Sequence, residues 1–484
     1  MYSIRYETID AFGNETEATG LVSIPLGALE APTVCFHNIT ETEQDVVPSR
    51  SFIGTANGIY NLLLSSFAGS GYLAVAPDYI GLGGNQGFHP YLHVDSQASA
   101  AIDAIRAARQ LVEGLANLEG STFSNDLFLF GYSQGGHAAL STHREIEENL
   151  SDEFSLIASA AGAGPYDLDG AQIQESLANP SDNAPLYLCY LVYSMNEVYA
   201  IESDLSTIIK QPYADMLPDL FDGSLSSAEI LAQLPSASEL DQLLVDTSFE
   251  TLQANNPEFF EVLKENSLDE WVPQAPVLFL YADADIDVSP ENTNLAHRFM
   301  LSENAPVRKQ RVGTNRGHLD SGLDALVQMR LYFDSFFGAT SFSYEAWQNS
   351  TDNFSLAQIL MGNLITGQNA DPNFDRIDNL ICYGLGMDPL LPNNDVLPQV
   401  RLNDAGFLEM TVISRIDDPA LSVIGQVTHT PFVQDSWSSD TQDIEVTSEW
   451  YIGGGFQQTV YTSTTLFDPD DLQFIRALVE LENE

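Results

Sequence analysis

The chain has 484 residues, room for two domains or more, and its 44% hydrophobic content supports a well-buried core. It carries 69 Asp and Glu against 17 Lys and Arg, a net charge of −52, with lysine only at Lys210, Lys264 and Lys309. Such a surface repels nucleic acid and anionic membranes, no run of about 18 apolar residues offers a membrane span, and three cysteines cannot build a disulfide framework.

Self-repulsion at this charge works against the compact state unless counterions screen it. Screening shortens from about 10 Å at 0.1 M salt to about 3 Å at 1 M. The simplest reading is adaptation to marine or hypersaline water, and the alternative is merely a soluble acidic surface. Cys35 and Cys189 lie in apolar runs and Cys382 far downstream; all three are expected as buried free thiols. The opening Met1-Tyr2-Ser3-Ile4-Arg5-Tyr6 has no apolar core segment and is not a signal peptide.

Residues 3–9 and 19–25 alternate like antiparallel strands. Strand-like runs then alternate with helical ones: 33–36, 73–76, a helix over 96–115, 127–130 and 156–160. Ile102, Ile105, Val112 and Leu115 fall near one face of that helix. This rhythm predicts an α/β fold with a mostly parallel sheet and helices on both sides. It breaks at 165–271, which is helix-rich and strand-poor, before a buried strand at 277–281. Tyr187, Tyr190, Tyr193, Tyr199, Phe259 and Phe260 of that interruption either line an acyl or aromatic pocket or form its own core.

The chemistry centres on Phe128-Leu129-Phe130-Gly131-Tyr132-Ser133-Gln134-Gly135-Gly136-His137. An apolar run ends at Gly-x-Ser-x-Gly and a helix-forming segment follows. That is a strand, a sharp turn and a helix, with Ser133 at the apex and glycines where a side chain would collide. The turn lifts the hydroxyl clear of the sheet and points the Gln134 N–H toward a developing oxyanion. A serine hydroxyl is a weak nucleophile and needs a base, itself oriented by an acid. Behind such an elbow the partners follow in the order acid, then histidine.

Three carboxylates cluster after the 277–281 strand, in Ala282-Asp283-Ala284-Asp285-Ile286-Asp287-Val288-Ser289-Pro290. This loop resembles the Gly-x-x-Asp-x-x-Val-Pro acid loop of α/β-hydrolases. That registration puts the acid at Asp285, with Asp283 and Asp287 as alternatives. Three histidines follow it. His297 sits in a helix-like run and His429 in a later β-rich region, which leaves His318, in a loop leading into a helix over 321–337, as the base. The second oxyanion donor is expected from His37-Asn38-Ile39-Thr40, at Ile39 or a neighbour. Asn38 stands there in place of a glycine and tolerates left-handed backbone angles. His37 reads as a hydrogen-bonded strut. Nothing in this scheme needs a metal or cofactor. His89, His93 and Asp95 have a helical ligand spacing, but Pro90 argues against a helix, and a role at the site's rim is expected.

Together with Ala76-Pro77-Asp78-Tyr79-Ile80-Gly81-Leu82-Gly83, His89-Pro90-Tyr91-Leu92-His93, Val47-Pro48-Ser49 and Gly164-Pro165-Tyr166-Asp167, these residues resemble a family of bacterial α/β-hydrolases related to secretory lipases. The resemblance spans about residues 1–338. It implies an α/β-hydrolase core over 1–165 and 272–338, with 166–271 as a helical cap over the active site.

Residues 340–484 read as a separate module. Asp371-Pro372-Asn373-Phe374-Asp375-Arg376-Ile377-Asp378-Asn379 looks like a calcium loop, with Asp371, Asn373 and Asp375 as candidate ligands. Arg376 replaces the turn glycine, however, and Cys382 stands where an acidic ligand would close the site. With Asn379-Leu380-Ile381, Gly386-Met387-Asp388-Pro389 and strand-like runs at 407–415 and 421–429, the segment resembles a C-terminal module of secreted bacterial hydrolases. That resemblance implies export, a degraded metal loop, a small β-sandwich and an accessory or attachment role. Trp437, Trp450 and Tyr451 read as sandwich packing or as a binding surface.

The expectation is a secreted or periplasmic serine ester hydrolase, its signal peptide not part of this chain, acting on a small or polymeric ester. The alternatives are a peptidase or amidase with the same triad, and a non-catalytic binding protein on this fold. No motif specifies an oligomeric state.

Overall fold

The computed structural model of the protein describes residues 1–337 apart from 28–29, 52–57, 86, 120–121 and 202–203, then residue 347, and 368–481 apart from 374–376, 391–396, 432, 434–435 and 470. Strands β1 (Tyr2–Ile9) and β2 (Glu15–Ser23) pair antiparallel around a turn in which Asp10 Oδ1 accepts the N–H groups of Phe12 and Asn14. With β3 (Ala31–His37), β4 (Leu73–Pro77), β5 (Phe123–Tyr132), β6 (Ser155–Gly162), β7 (Val277–Tyr281) and β8 (Val307–Arg311) they form one sheet, ordered β1-β2-β4-β3-β5-β6-β7-β8. β3 runs parallel to β4 and β5, and β5 runs parallel to β6, while β2 pairs antiparallel with β4. The mostly parallel α/β sheet read from the sequence is present. Every residue of β4 and β7 is buried, as expected of strands covered on both faces.

Helices α1 (Gly58–Ala68), α2 (Val94–Glu119) and α3 (Gln134–Asn149) pack on this sheet. α2 buries two faces rather than one. Ala100, Ala104, Ala108 and Val112 lie against Tyr6, Val22, Leu73 and Val75, while Ala98, Ile102 and Ile105 lie with Cys35, Leu127 and Leu129. A row of alanines four residues apart lets the helix seat closely on the strands, which a single stripe of large residues would prevent.

Between β6 and β7 lie helices α4 (Ile173–Ala178), α5 (Ala184–Tyr199), α6 (Tyr213–Leu220), α7 (Ser227–Leu231), α8 (Leu240–Leu243), α9 (Phe249–Asn255) and α10 (Pro257–Glu265). They enclose a core of their own around Cys189, Met195, Leu217, Ile230, Leu243 and Leu263. In it Tyr190 is stacked between Tyr91 (centroids 4.5 Å apart) and Phe221 (4.4 Å). Helices α11 (Pro290–Ser302) and α12 (His318–Asp334) follow β7 and β8. His318 opens α12 instead of lying in a loop before it. Asp320 in the first turn complements the helix dipole, and the Ser321 hydroxyl donates back to the Gly317 carbonyl.

The chain divides into two compact units, one of residues 1–275, 279–296 and 316–326, the other of 276–278, 297–315 and 327–484. In the second, α13 (Asn379–Leu385), β9 (Gln399–Leu402), β10 (Phe407–Arg415), β11 (Leu421–Thr428), β12 (Ile444–Gly453), β13 (Phe456–Leu466) and β14 (Phe474–Leu481) form sheets β12-β13-β10-β9 and β11-β14. Met410 and Val412 of β10, Val423 of β11 and Val479 of β14 share one core with Cys382 and Tyr383 of α13. Phe456 lies between two guanidinium groups, Arg308 at 4.4 Å and Arg415 at 4.6 Å from its centroid. Trp437 is stacked under Arg476 at 4.1 Å, while Trp450 is half exposed. Among the described residues, no helix is long and apolar enough to cross a membrane. All three cysteines are buried, and none forms a disulfide among the described residues.

Candidate active site

Ser133 stands between β5 and α3 with φ 59° and ψ −125°, a positive-φ conformation that costs a non-glycine residue energy and is tolerated where neighbours enforce it. The enforcement is visible. The Ser133 N–H donates to Gly162 O at 2.8 Å, and Gly136 N–H donates to Ser133 O at 2.9 Å. A Cβ on Gly131 would overlap the Gly135 carbonyl, and one on Gly135 would overlap the His37 carbonyl. The first glycine lets the turn close on itself, and the second lets the loop after β3 lie on the elbow. Gln134 opens α3, and N–H groups in a helix's first turn have no intrahelical acceptor.

The acid loop resolves into three environments. Asp285 is 5% exposed; its Oδ1 accepts the N–H groups of Asp287 (3.0 Å) and Val288 (2.9 Å), and its Oδ2 accepts His318 Nδ1–H at 2.6 Å. Asp283 accepts the backbone N–H of Arg316, at 3.2 Å. Asp287 is turned toward the helical insertion, where it accepts from Ser181 Oγ and Asn183 Nδ2. Asp285 is therefore the carboxylate on the imidazole. His318 is fixed a second time by Tyr132, the residue before Ser133. The Tyr132 hydroxyl donates to His318 O at 2.7 Å, and the two rings lie 5.0 Å apart. The sequence pattern assigns Tyr132 no role, because any residue can fill that place in Gly-x-Ser-x-Gly.

The loop after β3 is less open than the expected second donor requires. Ile39 N–H donates to Asn38 Oδ1 at 2.9 Å. Asn38 is fully buried, and its carbonyl accepts the Tyr79 hydroxyl at 3.1 Å. His37 is a strut, with its ring nitrogens 3.2 Å from Phe130 O and 2.9 Å from Thr142 Oγ1 and burial pushing its pKa down to about 4. Further along the loop, burial pushes the Glu41 carboxyl up to about 8, and the Tyr60 hydroxyl donates to it.

A cleft opens beside Ser133, walled by Tyr91, Leu92, Ile173, Tyr187, Leu188 and Leu191. Of the six aromatic residues singled out in the insertion, Tyr187 lines this cleft. Tyr190, Phe259 and Phe260 are buried in the helical core, Tyr193 packs against Phe88 and Phe221, and Tyr199 accepts from Asn266.

A second serine–histidine–carboxylate row, Ser159–His143–Glu147, has bonds of 2.8 Å on both sides of its imidazole. Ser159 and His143 are fully buried, so no substrate reaches them. Glu147 also accepts the N–H groups of Gln274 and Ala275, which makes the row a clasp. His89 and His93 are each engaged with protein groups, and no metal-holding cluster of His, Cys, Asp or Glu occurs among the described residues. Of the calcium candidates, Asp371 and Asn373 are described and Asp375 lies outside the described residues. Cys382, where a closing carboxylate is needed, is an apolar core residue.

The profile of the secretory lipase family matches residues 49–300, a stretch that holds Ser133 and Asp285 and ends before His318. Among solved structures, the rice cell wall degrading esterase LipA from Xanthomonas oryzae is 31% identical, over 68% of this chain and 86% of its own, with a TM-score of 0.60. A protein from Legionella pneumophila described as a hydrolase is 27% identical, over 71% of this chain and 90% of its own, with a TM-score of 0.63. Lipase A of Candida antarctica, 17% identical over 69% of this chain and 77% of its own, shares the fold with a TM-score of 0.55. No curated protein sequence matches the chain. The family profile covers more than half of the 484 residues, and the α/β-hydrolase sheet carries a serine elbow beside a paired aspartate and histidine; the chain belongs to the secretory lipase family and is a hydrolase of the esterase and lipase kind.

Proposed function

We propose that this family member is a serine carboxylic-ester hydrolase working through an acyl-enzyme on Ser133. One observation carries the reading: His318 is bonded to the buried Asp285 carboxylate at 2.6 Å, and its carbonyl is held by Tyr132, next in sequence to Ser133. With Nδ1–H given to Asp285, the His318 Nε2 lone pair is free to take the Ser133 proton. The serine oxygen attacks the ester carbonyl, and the oxyanion is met by the Gln134 N–H and, once Asn38 Oδ1 releases it, the Ile39 N–H. The alcohol leaves with the proton from His318. Water, deprotonated by the same nitrogen, then releases the acid. Each oxyanion donor contributes about 100- to 1000-fold in turnover.

The apolar cleft beside Ser133 takes the acyl portion, under the helical insertion acting as a cap. Family membership supports export, and a net charge of −52 supports saline surroundings; the β-rich unit serves as an accessory. Fluorophosphonate labelling, with turnover of acyl esters of increasing length, a solid polyester and a matched amide, tests the reading. Stoichiometric modification of Ser133, lost in S133A, is expected, with esters far ahead of the amide. No adduct on folded protein refutes the proposal, and comparable amide turnover makes the protein a peptidase or amidase instead.

A further inference from the structure

The proposed mechanism leaves unused a row of buried polar side chains beneath the elbow. The side chain of Gln134 is 1% exposed, and its Nε2 donates to His89 Nε2 at 2.7 Å and to Gln97 Oε1 at 3.4 Å. His89 Nδ1–H donates to Ile80 O at 2.8 Å, which makes its Nε2 an acceptor. Gln97 Nε2 donates to His137 Nδ1 at 3.0 Å, and His137 Nε2–H donates to Asn266 O at 2.8 Å. Asn266 follows α10, and its own side chain accepts from Val94 N–H and donates to Tyr199 Oη. The protons in the row have one consistent assignment, with both imidazoles neutral. Burial pushes each imidazole pKa down to about 4. Rotating the Gln134 amide would set its oxygen against the lone pair of His89, so Oε1 has no partner among the described residues and Nε2 carries both bonds.

We propose that His89 and Gln97 are positioning residues for the oxyanion site, and that His137 and Asn266 extend the same row to the helical insertion. The inference rests on the reading of the Gln134 N–H as an oxyanion donor. Ser133 is held at a strained φ of 59°, and the peptide that follows it could relax by rotating. Such a rotation swings the Gln134 N–H away from the oxyanion. Anchoring the Gln134 side chain at two points opposes that rotation. An error near 1 Å in such a donor costs on the order of 100-fold in rate.

The test separates positioning from packing. In His89→Gln the new Oε1 lies near the place of the imidazole Nε2 and still accepts from Gln134, but the bond to Ile80 is lost. In His89→Asn the new Nδ2 keeps the bond to Ile80 and nothing reaches Gln134. H89N is expected to lose about 10- to 100-fold in kcat with KM changed less than about threefold, and to bind a boronic acid inhibitor correspondingly more weakly. H89Q is expected within about threefold of wild type. Gln134→Met, which keeps the backbone N–H and removes both anchors, repeats the H89N result should that variant fail to fold. Loss in H89Q with retention in H89N overturns the proposal, as does an unchanged kcat in Q134M. Failure of the esterase reading is told apart by wild-type protein, which then forms no fluorophosphonate adduct at Ser133; that result overturns this proposal as well.

Discussion

Replacing Asp285 by asparagine changes one atom at the centre of the site, and the structure states what that atom does. In Asp285→Asn the amide oxygen remains where Oδ1 accepts the Asp287 and Val288 N–H groups, at 3.0 and 2.9 Å, so the loop retains its turn. The other position becomes an NH2 facing His318 Nδ1 across 2.6 Å. Two donors cannot share that distance, so the imidazole adopts the opposite tautomer, with its proton on Nε2. That nitrogen then cannot take the serine proton. The expected loss in kcat is about 10⁴-fold, or about 5.5 kcal/mol of transition-state stabilisation. KM should change little, and stability should fall by no more than the loss of one hydrogen bond allows, about 1 kcal/mol. Asp283→Asn and Asp287→Asn are the controls. Asp283 bonds a backbone N–H that an amide oxygen serves equally well, and kcat should stay within about threefold. Asp287 faces Ser181 and Asn183. Its replacement should act through KM, because it holds the insertion over the cleft. Steady-state kinetics on one soluble ester decide the matter. A D285N enzyme within tenfold of wild type, or a D283N enzyme as damaged as D285N should be, refutes the assignment of the acid.

The remaining outcomes follow from burial and charge. His37, His89 and His137 are pushed down to about 4 by burial, so the unfolded chain takes up protons first as pH falls. Their stabilisation is complete above about pH 6.5 and is lost progressively as pH falls to about 4, at roughly 3 kcal/mol each; melting curves across that window should fall steeply. Glu41, raised to about 8, acts in the opposite sense, losing stability as pH rises from its unfolded value. Glu41→Gln should therefore raise the melting temperature relative to wild type increasingly between pH 5 and about 8. Phe456→Leu removes the ring between Arg308 and Arg415 and should destabilise the second unit by about 2–4 kcal/mol, read by denaturant unfolding. Raising salt from 0.1 to about 1 M should raise the melting temperature, as expected for a net charge of −52; an unchanged value refutes the saline reading.

What the sequence by itself determined is local. Gly131, Ser133 and Gly135 specify a strand, a tight turn and a helix, because only glycine fits where carbonyls approach the Cα. The continuous apolar runs at β4 and β7 specify strands buried on both faces. The order of serine, aspartate cluster and histidine follows from the chain alone. What only the tertiary structure decided is which atoms meet. Asp283, Asp285 and Asp287 have the same local propensity, and the choice of Asp285 depends on where the start of α12 presents His318. Ile39 is a reasonable donor by its place in the sequence, but Asn38 turns its side chain onto that N–H. His89 and Gln97 are far from His137 along the chain, and no periodicity links them; they form a row because the loop between β4 and α2, α2 itself and α3 bring them together. Sequence patterns record burial and backbone geometry, which are properties of neighbours along the chain. Hydrogen bonds between distant side chains depend on how sheets and helices stack, and that is settled when the whole core closes.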